Sequence, residues 1–274
     1  MADATLKING IPALGFGTYP LTGEECQTSV AMALELGFRH IDTAQMYGNE
    51  GDVGKAIAAA GSLRAEVFIT TKVGSGNLSK IKFLQSVRRS TEALQMPFVD
   101  LLLIHWPPTD GTPIEAVMDW LNQAADEGLA REIGVSNFTI AMMQKAAAAS
   151  PRKLVNNQVE FHPMLDQSRL LASAKSLGIA LSAYCPIARG AVLNDPVIMG
   201  IAKRLGETPA TVTLRWIIQQ GVIAVPMTTK RANAQANLRA LELNLTPEDM
   251  LAIATLAKAH HRIVSPSSMA ALWD

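Results

Sequence analysis

Residues 38–72 read FRHIDTAQMYGNEGDVGKAIAAAGSLRAEVFITTK, with short β-rich runs at 38–42 and 67–72 flanking a helical pattern over 52–60. Gly61 stands just past that pattern, where a residue tolerant of left-handed backbone closes a helix. A strand, a helix and a second strand joined by short connections make a βαβ unit, whose strands run parallel. The same alternation continues outward in both directions. Further strands are expected over 99–105, 131–135, 155–160, 179–184 and 222–226, with a shorter first strand over 15–18. Helical patterns fill 23–36, 79–96, 113–127, 140–149, 167–177 and 209–219, and Gly37, Gly128 and Gly178 follow three of them. Eight strands alternating with helices match an α/β fold, the (β/α)8 TIM barrel, whose typical size is about 250 residues.

Two ends depart from the repeat. Residues 5–12 read as a β-hairpin around Asn9-Gly10, a strong two-residue turn signal that can plug the bottom of a barrel. An extra helix is expected over 230–241, beyond the eighth strand, followed by a short and mostly irregular tail. No Ser/Gly/Pro-rich linker divides the chain, so 1–274 reads as a single domain. A doubly wound open sheet is the rival, but Gly15-Phe16-Gly17 continues as Thr18-Tyr19-Pro20 and lacks the dinucleotide fingerprint.

Composition narrows the function. Of 274 residues, 49% are hydrophobic, and 24 basic side chains balance 24 acidic ones. That balance supplies no basic field for nucleic acid or anionic lipid, and no apolar run is long enough to span a bilayer. The start carries neither a basic n-region nor an apolar h-region, so a cytoplasmic location is the expectation. Cys26 and Cys185 form no metal-binding spacing and read as buried structural thiols; no metal is expected.

Chemistry in a parallel barrel collects where strands end. The polar residues at three successive strand ends are Asp42, Lys72 and His105, spaced by 30 and 33 residues. Tyr47 lies in the loop after Asp42 and can lean over the same rim. A phenol gives up its proton poorly at neutral pH unless a cation stabilises the phenolate. Lys72 can be that cation, Asp42 can hold it charged, and His105 can orient a carbonyl. Singly, each has an ordinary reading as a helix cap, a solvated lysine, a core histidine or a turn aromatic. Four such residues in strand register favour the joint one. A Schiff-base enzyme using Lys72 is a further option.

The segments 37–50, 101–107, 134–138 (Gly-Val-Ser-Asn-Phe) and 157–163 (Asn-Gln-Val-Glu-Phe-His-Pro) together resemble the aldo-keto reductases, and the match runs nearly end to end. The resemblance implies that Asp42, Tyr47, Lys72 and His105 are the catalytic tetrad, with Tyr47 as general acid. It implies a nicotinamide cofactor as hydride donor, which no side chain can replace. Ser136, Asn137 and Gln158 would hold its carboxamide, and Tyr184 would stack on its ring. Residues 225–237 resemble the family's phosphate-binding stretch, which implies roles for Pro226, Thr228, Lys230, Arg231 and Asn237. Met227 and Asn233 depart from the pattern, standing where a lysine and a phosphate-clamping arginine are common, and Arg231 could take over the clamp. NADPH/NADP+ is therefore expected over NADH.

Residues 229–231, 262–266 and 273–274 are most similar to a bacterial branch of the family that reduces 2,5-diketogluconate and small aldehydes including methylglyoxal. The resemblance thus implies a monomeric reductase of small carbonyl substrates, and the short loop from His105 to Thr112-Pro113 implies an open pocket lined by Tyr19, Met46, Trp106 and Trp273. A non-catalytic nicotinamide-nucleotide sensor on the same barrel is the alternative.

Overall fold

The structure is a computed structural model that describes residues 6–270 and 272–274, with the backbone alone at 62–64. The chain opens with a small antiparallel pair, β1 (Lys7–Ile8) and β2 (Ile11–Pro12). Asn9 and Gly10 turn it with positive φ values of 53° and 84°. Thr5, the first residue of the expected hairpin, lies outside the described residues. Eight parallel strands follow: β3 (Phe16–Gly17), β4 (His40–Asp42), β5 (Phe68–Val73), β6 (Val99–Ile104), β7 (Ala130–Ser136), β8 (Leu154–Glu160), β9 (Ala180–Tyr184) and β10 (Val222–Ala224). They pair in chain order. Closure comes from hydrogen bonds of the first strand's approach with the last strand: Gly15 N donates to Ala224 O, Ala224 N to Ala13 O, and Gly17 N to Pro226 O.

The helices are α1 (Gly23–Leu36), α2 (Glu50–Ala59), α3 (Lys82–Ala93), α4 (Ile114–Asp126), α5 (Ile140–Ala149), α6 (Ser168–Ser176), α7 (Pro196–Leu205), α8 (Pro209–Gln219), α9 (Arg231–Leu238) and α10 (Pro247–Ala254). The expected helix over 230–241 is α9 with a 3-10 turn, and it packs against α8 and α1. It therefore completes the barrel's outer ring, and the extra C-terminal helix is α10. The tail is otherwise mostly irregular, as expected, apart from α10 and the 3-10 turn Thr255–Ala259 that follows it. Thr246 and Asp249 form a reciprocal capping box at the start of α10, with Pro247 preset for its first turn. The sequence reading also left out α7, which Asp195 caps and Gly206 closes. Helix α3 is shorter than the expected 79–96 because residues 79–81 turn into it and Gln95 takes a φ of 56° beyond it.

Period-two alternation sorts the strands into two cores, with β8 breaking step at Val155, where its register with β7 shifts. On β6, Leu102 and Ile104 face the helices, whereas Leu101 and Leu103 join Ile11, Val155, Ala180, Ile223 and Val225 inside the barrel. Ile11 comes from the hairpin, and Asn9 Nδ2 donates to Val155 O and Gly178 O, which seats the hairpin beneath the strands. Higher in the barrel the inward residues turn polar: His40 bonds Thr70, and Asn156 bonds Ser182. The last inward positions, Asp42, Lys72, Ser136, Gln158 and Tyr184, form the rim at the strands' C-terminal ends.

Candidate active site

Asp42 ends β4, and its strand end is pinned from the neighbouring segment. Thr18 donates to Asp42 O through both its amide, at 3.1 Å, and its hydroxyl, at 3.0 Å. Lys72, the next inward rim residue on β5, is fully buried and donates its Nζ to Asp42 Oδ1 at 2.5 Å and to Thr43 O at 2.8 Å. The other carboxylate oxygen of Asp42 accepts Gln158 Nε2 at 2.7 Å. Both oxygens are thus satisfied, as a buried charge requires. Burial presses the Lys72 ammonium toward neutrality, but Asp42 and Tyr47 outweigh it and hold its pKa above the usual lysine value.

Tyr47 closes a 3-10 turn, Gln45–Tyr47, and its ring centroid lies 5.2 Å from Lys72 Nζ. The loop carrying it is braced on every side. Gln45 accepts from Gly74 N and Asn77 Nδ2 and donates to Ser86 and Ser90. Asn49 accepts from Thr43 Oγ1 and donates to Thr18 O and Leu21 O. Glu50 takes the Thr71 and Ser90 hydroxyls. Burial raises the phenol's pKa, and the Lys72 cation pulls against that rise. His105 follows β6, and its ring stands edge-on to Tyr47 with centroids 5.6 Å apart. Its backbone is clamped between Val73 O and Asn137 Nδ2. Burial, then the nearby Lys72 charge, lowers the imidazole to about 3, so it is neutral at physiological pH. Its Nδ1 is buried without a hydrogen-bond partner among the described residues.

Four further expected residues meet beside this group. Ser136 Oγ donates to Gln158 O and accepts from Asn137 Nδ2, while Tyr184 donates its hydroxyl to Asn137 Oδ1 at 2.8 Å. Tyr184 stays half-buried, with its ring anchored at the hydroxyl. One N–H of the Gln158 amide is taken by Asp42, which leaves its second N–H and its oxygen for other partners.

The remaining cofactor candidates run along the segment from β10 to α9. Thr228 Oγ1 accepts Lys230 N, Asn237 is buried, and the start of α9 has no side-chain cap. Arg231 is paired with Glu35 of α1 at 2.9 Å, both side chains more than half exposed. Around the mouth, Tyr19 lies 5.1 Å from Tyr47 and Met46 is 60% exposed beside Gly74. Trp106 stacks on His105, and Trp273 meets Trp106 edge-on.

Other features carry less. The Cys26 thiol is pushed up to about 11 by burial and Asp52, and burial raises Cys185 too, so neither is an activated nucleophile. A concavity of about 1100 Å3 opens at the opposite end, beneath the barrel. Its Arg39 and Arg131 are already paired with Glu66 and Asp100.

A closed parallel barrel with a buried Lys–Asp pair, a phenol and a neutral imidazole on one rim defines a class that comparison identifies. The aldo/keto reductase family profile matches residues 10–258, and the chain belongs to that family. It is an oxidoreductase of the carbonyl–alcohol couple, in a family that generally uses NAD(P)H. Among named relatives, the methylglyoxal reductase DkgB of Escherichia coli O157:H7 is 46% identical over 96% of this chain and 99% of its own. An aldo-keto reductase of Mycolicibacterium smegmatis is 36% identical over 90% of each chain. A crystal structure assigned as a 2,5-diketo-D-gluconic acid reductase B superposes with a TM-score of 0.95 at 44% identity, covering 100% of this chain and 98% of the other.

Proposed function

We propose that this chain is an NADPH-dependent reductase of small aldehydes and ketones, methylglyoxal and 2,5-diketogluconate among them, with Tyr47 as the proton donor. The observation that carries the reading is the placement of the Tyr47 phenol beside a buried, Asp42-held Lys72 ammonium. Reduced nicotinamide supplies the hydride when bound. The chain's own residues orient the carbonyl and deliver the proton. His105, neutral and with Nδ1 buried, turns Nε2 toward the carbonyl oxygen. As that oxygen gains negative charge, Tyr47 protonates it, and Lys72 stabilises the phenolate left behind. Asp42 and Gln158 keep Lys72 in place through the step.

The residues present fit a nicotinamide dinucleotide. The half-buried Tyr184 ring supports the nicotinamide, and the Ser136, Asn137 and Gln158 group offers amide contacts beside it. The uncapped N-terminus of α9 offers free N–H groups to a phosphate, with Lys230 and Arg231 exposed there. The Arg231–Glu35 pair is a solvated one, worth under about 1 kcal/mol. A 2′-phosphate, which takes guanidinium bidentately, outcompetes it, and this favours NADPH over NADH despite Met227 and Asn233. The substrate class follows the relatives' own, methylglyoxal and diketogluconate, and the open rim around Tyr19, Met46 and Trp106 suits small carbonyls.

The test is the loss of the reduced cofactor's near-ultraviolet absorbance with methylglyoxal, first with NADPH and then with NADH. Oxidation at least about tenfold more efficient with NADPH is expected. Equal efficiency would discard the Arg231 phosphate contact. Tight binding without oxidation of either would turn the assignment to the sensor.

A further inference from the structure

Residues 261–270 and 272–274 form a strap across the barrel mouth, and its moorings are chemical. Glu160, at the rim end of β8, is fully buried; its carboxylate takes Ile263 N at 2.6 Å, Val264 N at 2.7 Å and His162 Nε2 at 3.0 Å. At the far end, Asp274 Oδ2 accepts Ile140 N at the start of α5, and Trp273 Nε1 donates to Ser265 Oγ. Between these moorings lies Arg262. Its guanidinium carbon sits 4.1 Å from the Trp273 ring centroid, and the side chain is half-buried.

Among the described residues this guanidinium has no ion pair and no hydrogen-bond acceptor. The carboxylates whose fields reach it are Glu160 and Asp274, and both accept backbone amides instead. A partly desolvated guanidinium with five unused donors is costly to hold, and planar bidentate anions are what it binds best. From Trp273 a line of rings leads to the reaction centre. Trp273 meets Trp106 with centroids 6.3 Å apart, and Trp106 stacks on His105 at 6.4 Å with planes 18° apart. Arg262 is thus carried by the same strap whose Trp273 meets the indole flanking His105, on the side of the mouth where a carbonyl held at Tyr47 and His105 would lie.

The geometry points to Arg262 as the residue that selects carbonyl substrates bearing a carboxylate at the end distant from the reacting carbon, the class of keto-sugar acids. This rests on the reductase reading above and names the substrate feature that the site prefers. The dinucleotide's phosphates are the other anion that could dock at the mouth. They are provided for at α9, whereas Arg262 is tied to the indoles that flank His105.

The experiment measures kcat/KM, at saturating NADPH, for 2,5-diketogluconate and for uncharged methylglyoxal, in the wild type and in Arg262→Met, which keeps much of the aliphatic stem. NADPH affinity is measured alongside by fluorescence. The ratio of the two kcat/KM values is expected to fall about tenfold or more in Arg262→Met, chiefly through KM for the acid. Arg262→Lys should recover part of it, and added salt should erode the wild-type ratio but not that of Arg262→Met. Equal losses on both substrates would make Arg262 a structural part of the strap and overturn the assignment. So would weakened NADPH binding with an unchanged ratio, which would give the guanidinium to the cofactor. A wild type that oxidises NADPH with neither carbonyl would overturn the reductase reading and this assignment together.

Discussion

His40 and His105 are both buried, and burial is the largest influence on each imidazole. His40 lies inside the barrel with Nε2 on Thr70 Oγ1, and burial lowers it from 6.5 to about 4; His105 falls to about 3. A lowered histidine pKa means that the unfolded chain binds the proton more readily than the folded one. Above about pH 6.5 neither state is protonated and the penalty is absent. Between about 6.5 and 4 the unfolded state gains the proton first, so stability falls as pH falls. For His40 the loss reaches about 3 kcal/mol by pH 4. Urea midpoints should therefore drop steadily from pH 7 to 4.5, and His40→Asn should flatten part of the slope. A midpoint independent of pH over that range would contradict the burial argument. The rim residues were legible singly because strand ends are legible. Their pairings were not: Gln158 and Asp42 stand 116 positions apart, and no local pattern announces that bond. Arg231 similarly read as a free clamp because its partner Glu35 lies 196 positions away.

Helix α2 packs across the end of α3 at Gly54. A Cβ there would run into Ala93 O and stand 2.7 Å from the Leu94 carbonyl carbon. Alanine is worth about 1 kcal/mol over glycine in a helix interior. Overpacking costs about 1–3 kcal/mol, and here the obstacle is backbone, which cannot rotate aside. The clash should win, so Gly54→Ala is expected to lose about 1–2 kcal/mol in urea unfolding; a gain would refute the close approach. Helix α2 also begins at Glu50, so its seating bears on the loop that carries Tyr47. The ends of most elements were readable because glycine and proline punctuate them. Helices α7 and α10 were missed although each carries a start signal, Asp195-Pro196 and Thr246-Pro247-Glu248-Asp249. They interrupt or follow the strand–helix repeat, and a reading led by that repeat passes over them. The strap was opaque for another reason. Its structure comes from contacts with Glu160, Trp106 and Ile140, and it has no hydrophobic period of its own.

At the scale of the molecule, the barrel assigns its two ends different work. The lower end is closed by the hairpin and an apolar inner layer, while the upper end gathers Asp42, Lys72, Tyr47, His105 and the amide-bearing group around Gln158. Among the described residues no helix is long and apolar enough to cross a membrane. The rim is built from six different strands or their loops, so the arrangement exists only once the barrel closes. That dependence explains why residues that are unremarkable separately in the sequence meet on one rim in the fold. The proposed chemistry rests on one proton, the phenolic proton of Tyr47. The most direct test is turnover of NADPH with methylglyoxal by Tyr47→Phe, with cofactor affinity measured on the same protein. General acid catalysis by a positioned group contributes about 10²–10⁴-fold. Turnover is accordingly predicted to fall by about 10³-fold or more while NADPH affinity stays within about twofold of the wild type. Turnover within tenfold of the wild type, with the cofactor bound, would remove Tyr47 from the reaction and contradict the account.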